Sequence, residues 1–277
     1  MEVGVYYFSA TGNTLAGLLM LKQALEELGH ACELVPVEKA CGLSGQHDLL
    51  GFASPVFYGQ PAKVLTDFIR RLPRQEKPRP AFIALCSGVK GGALGSREIL
   101  MDLLANKNIW VLAELAFVGE ESHPLLRRLR YYTPGYGGDG RPDARDKAVM
   151  RRFAEKLIGL YGAFSSGKPT TLPYRSALKC LSLLGGSLMP LLNRSLFAKT
   201  VDVDKCTKCG LCALLCPVDA ISLSEAGPVF HASCTGCLRC VNLCPEGAIG
   251  LRASEKLDRY NRRVPLLREA ITLPTRR

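Results

Sequence analysis

Residues 3–14 read VGVYYFSATGNT: an uncharged run of β-branched and aromatic residues passes directly into a turn of small and hydroxyl-bearing ones. The run predicts a buried strand over Val3–Phe8, and the following composition predicts a helix over Thr14–Leu28 that ends at Gly29. The turn lies where backbone amides and a helix N-terminus favour an anion. It has no Lys or Arg, so it suits a single terminal phosphate better than a di- or triphosphate. The predicted phosphate loop is Ser9, Ala10, Thr11, Gly12, Asn13 and Thr14.

The alternation of strand and helix continues to about residue 161. It predicts an α/β fold, a doubly wound five-stranded parallel sheet with helices on both faces. The further strands are Ala31–Val37, Asp48–Ser54, Ala81–Cys86 and Ile109–Phe117, and the further helices are Ala62–Leu72, Ser96–Asn106 and 143–161.

Two loops leave the carboxyl ends of predicted strands, where open α/β sheets bind ligands. One offers aromatic faces and the other unobstructed backbone amides, a combination that suits a flat, amphipathic ring. We expect Tyr58 to stack on such a ring and Lys90 to stabilise its reduced, anionic form. The remaining ring-binding candidates are Pro55, Val56, Phe57 and Gly59 in the first loop, and Ser87, Gly88, Gly91 and Gly92 in the second.

The second signal is a Cys-rich repeat with an offset of 28 residues, KCTKCGLCALLCPVDAI at 205–221 and SCTGCLRCVNLCPEGAI at 233–249. Each copy reads C-x2-C-x2-C-x3-C-P, the bacterial two-cluster ferredoxin pattern, in which the fourth Cys serves the other cluster. A zinc site or a disulfide knot fits this spacing poorly, whereas a redox-silent structural cluster stays open as an alternative. The pattern predicts one 4Fe-4S cluster on Cys206, Cys209, Cys212 and Cys244, and another on Cys234, Cys237, Cys240 and Cys216.

The loop SATGNT after a first strand resembles the FMN phosphate loop of flavodoxins. With the Cys repeat appended, the whole chain is similar to the flavodoxin–ferredoxin fusion proteins, sometimes called ferrodoxins. The resemblance implies a flavodoxin-like domain that binds FMN and a small α+β ferredoxin-like domain with two 4Fe-4S clusters. We expect the first domain at 1–163, a linker with an apolar segment at 164–199, the ferredoxin domain at 200–252 and a basic extension at 253–277.

These features favour an electron-transfer iron–sulfur flavoprotein that passes single electrons between clusters and FMN and on to a redox partner. The alternatives are an FMN-dependent NAD(P)H or quinone oxidoreductase and a redox-sensing module; no catalytic residue is assigned. The formal charge of +11 points to an acidic partner protein. No nucleic-acid module accompanies the basic runs, which are expected to be solvated faces.

The remaining cysteines and the histidines form no motif. Cys32, Cys41, Cys86 and Cys180 have no ligand spacing, so we expect small buried hydrophobic residues, with Cys86 beside the ring-binding loop. The chain has no secretory signal pattern and no apolar run long enough to span a bilayer, which predicts a cytoplasmic protein with reduced thiols.

Overall fold

A computed structural model describes residues 1–57, 59–88, 93, 95–123, 138, 140–168, 172, 198–252, 260 and 265–267. Two units carry the described secondary structure. The N-terminal unit contains β1 (Glu2–Tyr7), α1 (Asn13–Glu27), β2 (Ala31–Pro36), β3 (Leu49–Phe57), β4 (Gln60–Pro61), α2 (Lys63–Arg71), β5 (Arg79–Ser87), α3 (Ser96–Ala105), β6 (Ile109–Val118) and α4 (Ala144–Ser165).

The N-terminal sheet has the strand order β2-β1-β3-β5-β6, and every pair along this path is parallel. This is the doubly wound order in which the chain first moves to one edge and then to the other. The predicted five-stranded parallel sheet is therefore confirmed. Its reversal point lies between β1 and β3, so the loops that follow these two strands diverge and leave a crevice at their carboxyl ends.

Alternate side chains along the strands pack into two separate hydrophobic cores, one on each face of the sheet. Val3, Val5 and Tyr7 of β1 pack with α1 and α4 on one face of the sheet, whereas Tyr6 and Phe8 pack with α2 and α3 on the other. Successive strand residues point to opposite faces, so an uninterrupted apolar strand can serve both layers. This explains why the opening run VGVYYF contains no polar position.

Part of the segment that the sequence predicts as a loop after the third strand is in fact a continuation of that strand. Pro55, Val56 and Phe57 belong to β3, which pairs antiparallel with β4. Gly59 reverses the chain between them with φ of 76°. The β-forming residues Val56 and Phe57 continue the strand because Pro61 and Gln60 return beside them, a pairing that local composition does not reveal.

The C-terminal unit is small and contains β7 (Lys199–Val201), α5 (Leu211–Leu214), β8 (Ile221–Ser224), β9 (Gly227–Phe230), α6 (Arg239–Leu243) and β10 (Ile249–Leu251). The first and last strands pair antiparallel, and β8 and β9 form a hairpin. Its core combines Ile221, Val241, Ile249 and Leu251 with the buried thiol of Cys240.

The sequence repeat is also a repeat of backbone conformation. Left-handed residues recur at the offset of 28, in the pairs Lys208 and Gly236, Gly210 and Leu238, and Asp219 and Gly247. The amide of Ala220 donates to Cys216 Sγ at 3.2 Å, and that of Ala248 donates to Cys244 Sγ at 3.3 Å. The two copies therefore present their cysteines on the same local scaffold.

Candidate functional site

A cleft opens at the carboxyl ends of the parallel strands, between the two units. Loops after β1, β5 and β6 and the end of β3 form one side of it, and a turn of the Cys-rich unit forms the other. The lining residues are Ser9, Ala10, Thr11, Asn13, Thr14, Pro55, Val56, Phe57, Cys86, Ser87, Gly88, Gly119, Glu120, Glu121, Ser122, His123, Gly236, Cys237 and Leu238.

The predicted phosphate loop forms a turn that leads directly into α1. Gly12, at φ 96°, precedes the first residue of α1, and the first turn of that helix carries no acidic residue. Ser9 Oγ accepts from the amides of Gly12 at 3.2 Å and Leu15 at 3.4 Å, which fixes the turn. Thr14 Oγ1 is buried and has no hydrogen-bond partner among the described residues. A buried hydroxyl is normally paired, so this orphan donor fits a bound anion.

Five of the ring-binding candidates line the cleft. Pro55, Val56, Phe57, Ser87 and Gly88 line the cleft, as does Cys86, which was expected beside it. Gly59 turns its carbonyl to Ser96 Oγ at 2.9 Å and is not among the lining residues. Tyr58, Lys90, Gly91 and Gly92 lie outside the described residues.

Sequence reasoning missed the loop that follows β6. Glu120, Glu121, Ser122 and His123 line the cleft, and Asn13 Nδ2 donates to the Glu120 carbonyl at 2.6 Å. Gly119 allows this approach, since a Cβ there would lie 2.6 Å from Cys86 Sγ. The available signal was topological: a loop that follows another parallel strand reaches the same sheet edge.

His123, which like the other histidines belongs to no sequence motif, lines the cleft. Burial, together with the nearby Lys199 ammonium, lowers the pKa of His123 to about 4. The imidazole is therefore neutral at pH 7, beside the cleft.

Four cysteines line a second cavity, within the C-terminal unit. Cys206, Cys209, Cys212 and Cys244 surround it, and we call them the outer set. Burial raises the pKa of Cys212, and the charges of Cys209 and Cys244 raise it further. The fourth Cys of the second repeat thus lines the same cavity as the first three cysteines of the first repeat.

The other four cysteines, Cys216, Cys234, Cys237 and Cys240, form the inner set. Burial raises the pKa of Cys237; the nearby Arg239 opposes this shift, whereas the charges of Cys234 and Cys216 add to it. Lys199 Nζ donates to Cys234 Sγ at 3.2 Å. All eight thiols are free of disulfides. In the described ranges, no three Cys, His, Asp or Glu side chains meet as ligands of a single ion. Each set offers four thiols, the ligands that a 4Fe-4S cluster uses, and N–H groups point at some of the sulfur atoms. The donor atoms of both sets therefore fit an iron–sulfur cluster.

Residues 198–251 match the family model of the 4Fe-4S dicluster domain. The chain thus joins a doubly wound α/β unit, with the strand order of the flavodoxin-like fold, to a region that matches a 4Fe-4S dicluster domain. Three solved structures are similar to the N-terminal part of the chain at low identity.

Flavodoxin 1 from Bacillus cereus is 12% identical, with 57% of this chain and 98% of that chain covered and a TM-score of 0.42. A short-chain flavodoxin associated with a non-canonical PDU bacterial microcompartment is 14% identical, with coverages of 58% and 99% and a TM-score of 0.42. Rubredoxin oxygen:oxidoreductase from Desulfovibrio gigas is 12% identical, with coverages of 58% and 36% and a TM-score of 0.41. No curated protein matches the chain.

The flavodoxin-like and dicluster domains meet through buried polar contacts. Asn242 Nδ2 donates to the Ser122 carbonyl at 3.1 Å, and Asn242 Oδ1 accepts from the Tyr260 amide at 2.9 Å. The Tyr260 hydroxyl donates to Asn13 Oδ1 at 2.6 Å. Tyr260 and Leu267 are buried, so this part of the basic extension is not the solvated face that we expected. Among the helices that the structure describes, none is long and apolar enough to cross a membrane.

Cys32 and Cys86 are buried as expected, whereas Cys41 is exposed, contrary to expectation. Cys41 lies in the irregular segment between β2 and β3, where no element covers it. Cys180 lies outside the described residues.

Proposed function

We propose that the chain is an electron-transfer iron–sulfur flavoprotein, with FMN in the cleft and one 4Fe-4S cluster on each set of four cysteines. One observation carries the proposal: Gly236, Cys237 and Leu238 of the inner set's turn line the same cleft as the predicted phosphate loop. A cluster ligand and the flavin site therefore share a wall. A 4Fe-4S cluster carries one electron at a time, whereas a flavin takes up one or two.

The chain's own residues support FMN over a flavin dinucleotide. The loop 9–14 contains three hydroxyl side chains and no Lys or Arg, so its donors suit one terminal phosphate. Thr14 Oγ1 supplies an unpaired buried donor there. Pro55, Val56 and Phe57 offer an apolar surface to the ring, and the loop 87–88 brings backbone beside its edge.

The two sets of cysteines differ in their surroundings, which supports an order of electron flow. Cys209 of the outer set is exposed, whereas Cys240 of the inner set is buried and Cys237 packs against the flavodoxin-like core. We propose that a partner protein exchanges electrons at the outer set, and that the inner set connects it to the flavin. The formal charge of the polypeptide is +11, and the sum stays positive after two oxidised clusters and a flavin phosphate are counted. An acidic partner would therefore associate with the protein more slowly as the salt concentration rises.

Anaerobic purification of the full chain, with iron, sulfide and flavin quantified, tests the proposal. We expect about eight irons and one FMN per chain, since each of two cubane clusters holds four. Stopped-flow mixing with a low-potential donor should then reduce the clusters and the flavin in sequence. A colourless protein, or reduced clusters that never reduce the flavin, would contradict the proposal. Rapid bleaching of the flavin by NADH alone would instead favour the NAD(P)H oxidoreductase.

A further inference from the structure

Arg239 is a buried guanidinium at the boundary between the two domains. Its side chain is 2% exposed, and it lies between the inner-set ligands Cys237 and Cys240 in the sequence. Its head crosses into the flavodoxin-like domain. Nη2 donates to the Ser9 carbonyl at 2.8 Å and Nε to the Ala10 carbonyl at 3.4 Å.

The remaining donors and the face of the guanidinium are also engaged. Nη1 donates to the Leu215 carbonyl at 3.1 Å and pairs with Glu38 Oε1. The guanidinium carbon lies 5.0 Å from the centroid of the Phe8 ring. A planar fork with several fixed donors can hold this arrangement, whereas the single ammonium of Lys cannot.

The two accepting carbonyls belong to the predicted phosphate loop. In a planar trans peptide, the carbonyl oxygen and the next residue's N–H point in opposite directions. By holding the Ser9 and Ala10 carbonyls, Arg239 turns the N–H groups of Ala10 and Thr11 away from itself. Both of these residues line the cleft. The guanidinium therefore sets the orientation of two peptide planes in the anion-binding loop and adds a positive charge behind it.

The first repeat shows that the cluster-binding turn does not itself require this arginine. At the offset of 28, Leu211 occupies the position of Arg239. The flanking left-handed residues Gly210 and Leu238 correspond as well. A Leu at position 239 is thus compatible with the turn, and the arginine serves the neighbouring domain.

We propose that Arg239 is a positioning residue that connects the turn of the inner set to the predicted phosphate loop. It determines the preference of the cleft for a flavin with a phosphate over a flavin without one. This inference rests on the proposed function. It predicts that Arg239 contributes to recognition of the phosphate and little to recognition of the ring. Since the same turn carries Cys237 and Cys240, filling the inner set and binding the phosphate become linked.

The test compares the dissociation constants of FMN and riboflavin in the anaerobic, cluster-loaded full chain. The variant is Arg239→Leu combined with Glu38→Gln, which avoids leaving the Glu38 carboxylate unpaired. We expect FMN to bind about tenfold or more weakly, the size of a lost charge-assisted hydrogen bond, with riboflavin affinity changed much less. Arg239→Lys should retain part of the preference because it keeps the charge.

Arg151→Leu combined with Glu155→Gln is the matched control, since it removes an exposed ion pair on α4 and, like the test variant, leaves the net charge unchanged. It should leave both dissociation constants unchanged. FMN binding as tight as in the original chain, or an equal loss for FMN and riboflavin, would overturn the inference while leaving the proposed function intact. If the double variant loses iron, the dissociation constants of FMN and riboflavin are measured in Arg239→Lys instead. Unchanged FMN affinity, or an equal loss for both flavins, would overturn the inference there as well. If the unaltered chain fails to bind FMN, the proposed function itself fails.

Discussion

Asn13, Tyr260 and Asn242 form a chain of buried polar contacts from the phosphate loop to the dicluster domain. Both asparagines use a donor and an acceptor: Asn13 Nδ2 donates to the Glu120 carbonyl while its Oδ1 accepts from Tyr260, and Asn242 likewise bridges Ser122 and Tyr260. Tyr260 donates twice, through its amide and its hydroxyl. Removing one member leaves its neighbour buried and unpaired, which costs more than the bond itself contributes. At the scale of single residues, these side chains therefore connect the two domains.

Tyr260→Phe should destabilise the protein by about 1–2 kcal/mol, because Asn13 Oδ1 is left buried without its donor. The midpoint of thermal unfolding, followed by circular dichroism under anaerobic conditions, should fall by a few degrees. Tyr161→Phe is the control, because Tyr161 is only partly buried where it packs against the core from α4. An equal, small effect of both substitutions would show that the Tyr260 hydroxyl contributes no stability.

Cys32 and Cys41 should differ in reactivity. Burial raises the pKa of the Cys32 thiol to about 12, although Lys22 opposes the shift. At pH 8 only about one thiol in ten thousand is then a thiolate, the form that alkylating agents attack, and this fraction rises tenfold per pH unit. Iodoacetamide at pH 8 should label the exposed Cys41 and spare Cys32 until the chain is unfolded, as read by mass spectrometry. Equal labelling of both in the native protein would contradict the assigned burial.

At the scale of elements, a close approach between α1 and β6 supports the wall of the cleft. Gly17 lies in the middle of α1, and a Cβ there would be 2.3 Å from the Phe117 ring. Phe117 belongs to β6, which ends at the loop bearing Glu120 and His123. Because Gly17 has no side chain, the Phe117 ring of β6 can pack directly against α1.

Gly17→Ala and Gly159→Ala should change stability in opposite directions. Both glycines lie within helices, where Ala is favoured by about 1 kcal/mol. At Gly159 nothing lies within 4 Å of the added methyl, so the gain should be realised. At Gly17 the clash with Phe117 should outweigh it, for a net loss of about 1–2 kcal/mol. Thermal unfolding of the two variants checks this, and a stabilised Gly17→Ala would refute the close packing.

At the scale of the whole molecule, the two halves of a symmetric repeat have unequal environments. The outer set lines a cavity within the dicluster domain, whereas the inner set's turn contacts the flavodoxin-like domain. A bound flavin phosphate should therefore act electrostatically on one cluster far more than on the other.

Cys209→Ala and Cys237→Ala should separate the two clusters. In Cys209→Ala the surviving inner cluster should lower its midpoint potential when FMN binds, by on the order of tens of millivolts, because negative charge is brought near it. In Cys237→Ala the surviving outer cluster should respond little. Redox titration followed by electron paramagnetic resonance, with and without FMN, measures both shifts. A larger shift in the midpoint potential of the outer cluster would show that the outer set, and not the inner set, lies nearer the flavin phosphate.

The sequence alone was sufficient for the parallel sheet, and it predicts a phosphate loop and a division of the eight cysteines into two sets. These rest on local regularities: strand and helix periodicity, a turn that begins a helix, and a repeated ligand spacing. The continuation of β3 through Phe57 escaped prediction because its partner strand, Gln60–Pro61, is defined only by the pairing. Arg239, Tyr260 and His123 belong to no motif, and each gains its place by contact with residues more than 70 positions away. Only the tertiary structure decides which set of four cysteines adjoins the cleft, because the repeat is nearly symmetric and the asymmetry arises from packing between the two units.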